Sequence, residues 1–470
     1  MSGKPIVRRG VAPGPDAMHV QVAIVGAGAC GLTAALRLAE AGIETVLIER
    51  DGTPSGSTAL SSGFIPAAGT AVQRALGIDD DPRRFAADIQ AKAHGTAAQH
   101  LVQAYTRAIA PAMDDLGRHG LVFEVLDGFL YPGHAAHRMH TLPERSGAAL
   151  VAALTRAATE AGAYLLTSAR VAEILVDARD RVVAAVCERP DGTTEVIACD
   201  VLILACNGFG GNPDMVRRYL PAMRQAVYGG HAGNDGSAVE WGLQLGARLA
   251  DLGAYQGHGS WATPLGVLIS WAVMMGGGVQ INREGRRFHD ETRGYSEAAV
   301  QVLAQPGSVA WDVFDEQARS LVSGFPDFAL AESNHAVKTC AGPAELAAVI
   351  GCDVDALGRT LDGIGPGAVD THGRVFERAL QAPYYAVKVT GALFHTQGGL
   401  DIDAQCRVLN EAGLPFPNLL AAGGAARGVS GNDVSGYLSG NGLLSAVAGG
   451  YIAAATAAAQ IGRALVPAAD

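Results

Sequence analysis

The sequence predicts an α/β protein whose Rossmann-like dinucleotide-binding domain is split in sequence by an inserted α+β domain. Three observations support this class. A buried strand at 20–25 enters a glycine turn and then a helix, two later apolar strands also run into glycines, and the strand–helix rhythm is lost between 245 and 382. We therefore expect a flexible tail over 1–17, a dinucleotide-binding domain over 18–244 and 383–470, and an inserted substrate (catalytic) domain over 245–382.

The first strand–turn–helix unit carries the spacing G-x-G-x-x-G at Gly26, Gly28 and Gly31. The first glycine permits a sharp turn, the second lets the backbone approach a pyrophosphate, and the third lets the helix pack close to the strand. A second strand over 44–48 ends in Glu49, 23 residues after Gly26, which suits an acid that binds ribose. The spacing and its context together predict a dinucleotide site.

The remaining elements follow in chain order. Small residues fill 56–63, and helices are expected within 83–119 and over 148–162. A strand is expected at 163–167, and a β-meander over 170–198 turns at Asp191-Gly192. Buried strands at 200–206 and 417–422 enter glycine turns, and a Gly- and Ala-rich helix over 443–459 closes the chain.

The bulk composition excludes several classes of protein. Hydrophobic residues make up 49% and charged residues 17% of 470 residues, which is typical of a globular chain. The net charge of −11 argues against nucleic acid as a partner. Seven scattered cysteines without a C-x-x-C pair predict a reducing, cytoplasmic environment and neither disulfides nor a cysteine-held metal. No histidine spacing suggests a metal site either.

The helix over 443–459 is apolar enough to resemble a membrane span. Its Gly and Ala content, and the glycine loop before it, favour a buried helix that packs tightly against a sheet and a cofactor. The N-terminal segment has no apolar core of signal-peptide length. We therefore expect no membrane span.

Four separated motifs resemble those of the flavoprotein family that contains soluble fumarate reductases, the succinate dehydrogenase flavoprotein subunit and 3-ketosteroid dehydrogenases. The motifs are the first glycine turn with Glu49, the segment 205–212, the segment 281–291, and the segment 395–399 continuing to 419–424. This resemblance implies an FAD-binding domain and a substrate between the flavin and the inserted domain. No histidine occurs between His19 and His94, so a non-covalent flavin is expected.

The resemblance also implies which residues hold FAD. The adenine end would lie at the first glycine turn, and the flavin across 57–63 and the final glycine loop, with the C-terminal helix dipole facing its pyrimidine edge. The residues implied are Gly26, Gly28, Ala29, Gly31, Glu49, Arg50, Ser57, Thr58, Ser61, Ser62, Gly63, Val171, Ala205, Asn207, Gly208, Asp235, Gly423, Gly424, Gly440, Asn441, Leu443 and Leu444.

The final glycine loop separates two branches of the family. Fumarate reductases carry an arginine before the last glycine–asparagine pair, where it holds a substrate carboxylate. Tyr437 stands there in this chain. The loop therefore resembles that of ketosteroid dehydrogenases, in which a tyrosine and a glycine N–H polarise a ketone. By this resemblance Tyr437 and the Gly442 N–H would stabilise an enolate.

The proton-transfer group is expected four residues after Glu291, at Tyr295, the spacing at which ketosteroid dehydrogenases have their tyrosine base. Because free tyrosine titrates near pH ~10, it needs help to act as a base, and Arg293 or Arg138 could supply a positive charge. Both arginines and His395 are also candidates for substrate binding. Arg293 keeps open the fumarate reductase alternative, in which an arginine donates the proton. We expect Glu291 to pair with an arginine.

Three hypotheses follow. The favoured one is a flavin-dependent desaturase of a cyclic ketone, either a 3-ketosteroid or a smaller oxocyclohexane such as a 4-oxocyclohexanecarboxylate, with hydride to flavin N5 and the proton to a tyrosine. The alternative is a reductase of an unsaturated carboxylic acid, and the third is a non-catalytic flavin carrier. The partners expected are a small-molecule substrate and an electron acceptor left open among quinone, an electron-transfer protein and oxygen.

Overall fold

The computed structural model describes residues 4–465 and contains two large sheets. The first sheet has nine strands. Its main path, in spatial order, is Ile6–Arg9, Arg170–Val176, Val182–Glu188, Thr194–Leu204, Met18–Val25, Thr45–Ile48 and Tyr164–Leu166, and Thr194–Leu204 also pairs with Pro415–Ala421, which pairs with Arg407–Leu409. Strands Met18–Val25, Thr45–Ile48, Thr194–Leu204 and Pro415–Ala421 run parallel, so their carboxyl ends meet at one edge. That edge is where dinucleotides bind in such sheets.

The second sheet has seven strands, and the long strand Tyr384–Thr396 is its centre. The path is Val267–Leu268, Tyr255–Ala262, Tyr384–Thr396, Ala310–Phe314 and Val279–Ile281, with Val227–Tyr228 and Val337–Cys340 also paired to the central strand. Two small sheets complete the pairing. In the first, Leu249–Ala250 pairs with Gly399–Leu400. In the second, Met139–Thr141 is the middle strand and pairs with both Ile65–Pro66 and Glu124–Val125.

This pairing corrects two sequence expectations. Ile6–Arg9 is a parallel edge strand beside Arg170–Val176, anchored by an ion pair of 2.7 Å between Arg8 and Glu173, so the expected tail over 1–17 is wrong at these four residues. Residues 1–3 of that tail and 466–470 of the expected final domain lie outside the described residues. The central strand of the second sheet also lies beyond the expected boundary at 383. The thirteen-residue strand Tyr384–Thr396 pairs with four other strands of the second sheet. The chain therefore returns to the first sheet only with Arg407–Leu409.

Fifteen α-helices lie within residues 4–465. Their bounds are Ala29–Glu40, Gly56–Ala59, Ala71–Ala75, Pro82–Lys92, Gln99–Arg118, Gly147–Glu160, Pro213–Tyr219, Ser237–Leu245, Ala272–Met275, Tyr295–Leu303, Glu316–Ser320, Pro326–Ser333, Pro343–Ile350, Val354–Asp362 and Asn441–Gln460. Short 3₁₀ turns occupy Pro221–Met223, Glu291–Arg293, Pro306–Ser308, Gly423–Ala425 and Val434–Gly436.

The C-terminal helix Asn441–Gln460 is a core element, as its composition predicted. Within the described chain it is the one helix long and apolar enough to cross a membrane, and 56% of that apolar window is buried inside the protein. It packs on helices Ala29–Glu40 and Gln99–Arg118. A Cβ atom at Gly450 would stand 2.3 Å from the carbonyl oxygen of Cys30. The backbones of the C-terminal helix and helix Ala29–Glu40 therefore approach so closely at Gly450 that only glycine fits there.

Candidate active site

A long cleft lies at the carboxyl ends of the parallel strands and continues toward the second sheet. It encloses about 1960 Å³ of empty space, its mouth included. The glycine turn at 26–28 and Glu49 line one end, and a cluster of buried aromatic side chains lines the other. A cleft lined by glycine turns, a few polar groups and aromatic side chains is typical of a site for small molecules.

The first glycine turn has the properties that a pyrophosphate needs. Gly26 has φ of +105°, and a Cβ there would lie 2.6 Å from the carbonyl oxygen of Ala205. A Cβ on Gly31 would lie 1.9 Å from the carbonyl oxygen of Gly26, so this glycine serves packing rather than contact with a ligand. Gly28 faces the cleft and begins helix Ala29–Glu40 with no side-chain cap. The helix therefore presents N–H groups and its positive dipole end to the cleft.

The acid after the second strand is held in place by the backbone. Glu49 is 8% exposed, and its two carboxylate oxygens accept hydrogen bonds from the N–H groups of Ala27 at 2.9 Å and Asp51 at 3.0 Å. Each oxygen retains a lone pair for a ribose hydroxyl. Arg50 beside it pairs with Asp235 at 3.1 Å across the cleft, so the loop after Tyr228 is tied to this end of the site.

Most of the residues expected to hold FAD line the cleft. They are Gly26, Gly28, Ala29, Glu49, Arg50, Ser57, Thr58, Ser61, Ser62, Val171, Ala205, Asn207, Asp235, Gly423, Gly424, Gly440 and Leu443. Their chemistry fits FAD, because the glycine turn and the helix after it supply backbone N–H groups and the other lining residues include hydroxyl and amide side chains.

Five expected residues lie behind the wall instead. Gly31 packs as described above. Gly63 lies against the backbone of Ser146, and a Cβ on Gly208 would meet the Thr396 hydroxyl at 1.9 Å. Asn441 donates to the Ser430 hydroxyl at 3.0 Å, and Leu444 is fully buried in the core. These five residues shape the wall rather than the surface that faces the cleft.

The C-terminal helix points its first turn at the cleft, as expected from the sequence. Gly440 precedes the helix with φ of +86°, and Gly442 and Leu443 line the cleft. The helix has no side-chain cap. Its dipole therefore favours negative charge that develops in the cleft.

A row of aromatic rings closes the other end. His395 and Tyr437 have ring centroids 5.8 Å apart, Tyr437 and Tyr295 6.0 Å, Tyr295 and His258 4.7 Å, and His258 and Trp271 5.6 Å. Tyr295 is the first residue of its helix, behind Gly294, whose φ is +139°. The two tyrosines expected to act on substrate are thus neighbours in the structure, although 142 residues separate them (437 minus 295).

The hydroxyl of Tyr437 lies near backbone N–H groups of the final glycine loop. Burial raises its pKa to about 12, while the Tyr295 hydroxyl and the backbone at Gly442 and Gly440 lower it. The phenol is therefore protonated at neutral pH and can donate, and the Gly442 N–H stands beside it. That these two groups together polarise a ketone oxygen stays a prediction of the resemblance.

Burial also raises the pKa of Tyr295 well above 10, and the neighbouring Tyr437 adds to this rise, whereas the Ser439 hydroxyl opposes it. The expected help from arginine is absent. Arg138 is fully buried and bonded to Asp80 at 2.8 and 2.9 Å and to Asp88 at 2.5 Å. The side chain of Arg293 is 73% exposed and does not line the cleft. The expectations that these arginines bind substrate or assist Tyr295 are therefore wrong.

His395 and Glu291 take the positions expected of them. His395 lines the cleft beside Gly442, and burial lowers its pKa to about 4, so it is neutral. Glu291 is buried under the loop and forms ion pairs with Arg287 and with Arg374 at 2.7 Å. Burial alone would raise its pKa, but these arginines lower it to about 2. Glu291 holds the loop before Tyr295, as predicted.

Sequence reasoning missed several lining residues at the aromatic end. They are Phe64, Tyr131, His258, Ser270, Trp271 and Phe394. Tyr131 is half-buried close to Tyr295, and its hydroxyl faces Ser270. The isolated aromatics of the inserted segment were the available signal, but their spacing does not show which of them face one cavity.

This fold and cleft define a flavoprotein oxidoreductase. The profile of the FAD binding domain family matches residues 21–443, and the chain belongs to that family.

Relatives and solved structures agree with this assignment. The chain is 29% identical over 465 residues to a probable fumarate reductase, Ifc3, of Shewanella frigidimarina, covering 96% of this chain and 77% of that one. It is 23% identical to a 4-oxocyclohexanecarboxylate 2-dehydrogenase of Sinomonas cyclohexanicum, covering 93% of each.

A flavocytochrome c3 fumarate reductase structure superposes with a TM-score of 0.80 at 28% identity, covering 95% of this chain and 79% of that one. The 3-ketosteroid-Δ4-(5α)-dehydrogenase of Rhodococcus jostii RHA1 superposes with a TM-score of 0.75 at 22% identity, covering 97% and 99%. The cofactor of this chain is therefore FAD.

Proposed function

We propose that this protein is an FAD-dependent dehydrogenase that introduces a C=C bond α,β to the carbonyl of a cyclic ketone. The observation that carries the proposal is the pair of buried tyrosines at the end of the cleft, one of which shares its surroundings with the Gly442 N–H. A ketone needs hydrogen-bond donors at its oxygen and a proton acceptor near its α-carbon. Tyr437 with Gly442, and Tyr295, supply these two functions.

The charge distribution of the cleft supports a ketone over a carboxylic acid. Among the described lining residues the charged side chains are Glu49, Arg50, Asp51, Arg170 and Asp235, all on the elements that surround the first glycine turn. The aromatic end has histidines and tyrosines but neither lysine nor arginine. A carboxylate buried there would lack a cation, which is costly, whereas a ketone is satisfied by neutral donors.

The reaction balances as follows. The Tyr295 phenol must first lose its own proton to water in the cleft, because burial holds its pKa well above neutral pH. The α C–H bond then breaks and its proton passes to the Tyr295 phenolate oxygen, while Tyr437 and the Gly442 N–H stabilise the charge that develops on the carbonyl oxygen. The β C–H bond breaks as a hydride, which bound FAD accepts as a two-electron oxidant. The C=C bond forms between the two carbons. An external acceptor must then remove two electrons, and quinone, an electron-transfer protein and oxygen are the candidates.

The substrate is proposed at the level of a ring ketone. The similarity to an oxocyclohexanecarboxylate dehydrogenase and the fold shared with a ketosteroid dehydrogenase both support a ring that bears a carbonyl. Because Arg138 and Arg293 do not reach the cleft, a neutral ring, a steroid or a small oxocyclohexane, is favoured over a ring carboxylate. A cytoplasmic location stays a prediction from the cysteine pattern.

A reductase of an unsaturated acid is the second candidate. It is supported by the sequence similarity to a probable fumarate reductase and by the raised pKa of Tyr295, whose phenol keeps its proton at neutral pH. A protonated Tyr295 can donate the proton that reduction of a C=C bond requires. The lack of a lining cation at the aromatic end counts against it.

Replacing each tyrosine by phenylalanine tests the proposal. We expect Tyr295→Phe to slow flavin reduction by a cyclic ketone at least about a hundredfold, since the proton acceptor is lost. Tyr437→Phe should slow it by about a hundredfold because one donor to the developing oxyanion is lost. Stopped-flow absorbance of the flavin under anaerobic conditions measures both rates.

Tyr385→Phe is the matched control, because Tyr385 bonds Glu316 and does not line the cleft. It should keep the wild-type rate. Full rates in both Tyr295→Phe and Tyr437→Phe would contradict the assigned roles.

A further inference from the structure

The last residue of helix Pro82–Lys92 reaches the segment that leads into Tyr295. The Lys92 ammonium donates a hydrogen bond of 2.7 Å to the carbonyl oxygen of Arg293 and forms an ion pair with Glu297. The side chains of Lys92 and Glu297 are largely buried, being 13% and 21% exposed. The proposed reaction gives neither of them a part.

This ion pair joins two parts of the fold that pack separately. Helix Pro82–Lys92 packs on helix Gln99–Arg118, which packs on the C-terminal helix beside the first sheet. Glu297 belongs to helix Tyr295–Leu303, which packs on strand Tyr255–Ala262 of the second sheet. The contact therefore crosses from the helices beside the first sheet to the sheet that carries the aromatic end of the cleft.

The ion pair lies over Gly294, the residue directly before Tyr295. A Cβ on Gly294 would stand 2.7 Å from Oε2 of Glu297 and 3.4 Å from the ammonium nitrogen of Lys92. Gly294 has φ of +139°, which residues with a side chain rarely adopt. The charged pair therefore lies against the backbone turn that sets the direction of Tyr295.

The same helix end also contacts the segment before Tyr437. Ala93 follows Lys92, and a Cβ on Gly436 would stand 3.2 Å from the Cα atom of Ala93. Gly436 directly precedes Tyr437. The end of one helix therefore contacts the backbone before each of the two phenols, whose ring centroids lie 6.0 Å apart.

We propose that Lys92 is a positioning residue that holds the backbone before Tyr295 against the helix end on which the segment before Tyr437 packs, and so fixes the distance between the two phenols. This inference rests on the proposed function, in which both phenols act on one bound ketone. A misplacement of about 1 Å slows such a reaction strongly. Lys92 does not line the cleft, so it acts through the Arg293 carbonyl, and Glu297 keeps the ammonium in place.

Four variants separate positioning from stability alone. Lys92→Met removes the donor to the Arg293 carbonyl and leaves Glu297 unpaired. The double variant with Glu297→Gln removes both charges and still lacks the donor, whereas Lys92→Arg keeps a charged donor. Lys338→Met makes the same change at an exposed lysine of strand Val337–Cys340 and is the control.

We expect Lys92→Met to lower the limiting rate of anaerobic flavin reduction by cyclohexanone or a 3-ketosteroid about tenfold, and to change the dissociation constant of the ketone less than about twofold. The double variant should be equally slow but regain the melting temperature that Lys92→Met loses, since no buried charge is left unpaired. Lys92→Arg should recover most of the rate, and Lys338→Met should keep it. A wild-type rate in Lys92→Met, or a rate that returns together with the melting temperature in the double variant, would overturn the inference.

Hydrogen exchange of the holoenzyme separates this inference from the proposed function. Mass spectrometry of a peptide over 290–300 reports on the backbone around Tyr295 without turnover. We expect faster exchange there in Lys92→Met and in the double variant, and wild-type exchange in Lys92→Arg and Lys338→Met. That result in an enzyme that no ring ketone reduces would retain the hold of Lys92 on this segment and reject the desaturase. Unchanged exchange in both variants that lack the donor would reject the hold even in an enzyme that ring ketones reduce.

Discussion

Asp312 is a fully buried acid behind the aromatic wall. Its Oδ1 accepts from the Gln280 amide at 2.8 Å, and its Oδ2 lacks a hydrogen-bond partner among the described residues. Burial raises the pKa of Asp312 to about 7, against smaller lowering effects of Gln280 and Ser260. The folded protein therefore keeps on this side chain a proton that the unfolded chain releases near pH ~4.

This difference predicts how stability depends on pH. Below pH ~4 both states hold the proton, and between pH ~4 and 7 only the folded state does, so stability falls as pH rises through that window and levels off above it. Asp312→Asn should remove this fall and raise the melting temperature at pH 8 relative to wild type. Thermal unfolding of both proteins from pH 4.5 to 8 measures it.

Asp16→Asn, at an exposed position, is the control and should follow the wild-type curve. Parallel curves for wild type and Asp312→Asn would show that Asp312 ionises normally in the folded protein.

The arginines show where residue-level inference from sequence fails. Position relative to a motif identified Tyr295, Tyr437 and Gly442 as residues lining one cavity, because each lies close to a motif in the chain. Arg138 was misassigned because nothing in the sequence indicates that Asp80 and Asp88 lie against it. His258 was missed as a lining residue because nothing in the sequence indicates that strand Tyr255–Ala262 faces the cleft.

At the scale of elements, the close packing of the C-terminal helix on helix Ala29–Glu40 positions both helix N-termini at the cleft. A Cβ at Gly450 would meet the carbonyl oxygen of Cys30 at 2.3 Å. Gly450→Ala should therefore push the helices apart, lower the melting temperature and weaken the retention of FAD. Differential scanning fluorimetry and the flavin-to-protein absorbance ratio measure the two effects.

Gly117→Ala is the matched control. Gly117 lies in helix Gln99–Arg118 with nothing within 4 Å of its missing Cβ, so alanine should be neutral or stabilise by up to about 1 kcal/mol through helix propensity. Equal stability and flavin content in wild type and Gly450→Ala would contradict the packing argument.

Strands and helices with a clear period were predictable to within a few residues, as in the meander after Arg170 and the helix Gly147–Glu160. Strand Tyr384–Thr396 was assigned to the wrong domain because its apolar pattern fits either sheet. Only the pairing of its edges with Tyr255–Ala262 and Ala310–Phe314 decides between them. Strand Ile6–Arg9 was missed for a similar reason, since four residues with two arginines carry too little pattern.

At the scale of the whole molecule, the two sheets give the cleft two different surfaces. The first supplies glycine turns, helix N-termini and four of the five charged lining residues, which suit a dinucleotide. The second supplies aromatic and neutral histidine side chains, which suit an uncharged ring. The family and the cofactor follow from the first surface, whereas the proposed substrate depends on the second.

The most direct test of this account follows the yellow absorbance of the bound flavin in an anaerobic cuvette. A cyclic ketone, supplied as a 3-ketosteroid or a cyclohexanone, should bleach the oxidised enzyme. The dithionite-reduced enzyme should regain its colour with the corresponding enone and not with fumarate. Rapid reoxidation by fumarate alone, with no bleaching by any ring ketone, would contradict the central claim that the aromatic end of the cleft binds a neutral ketone.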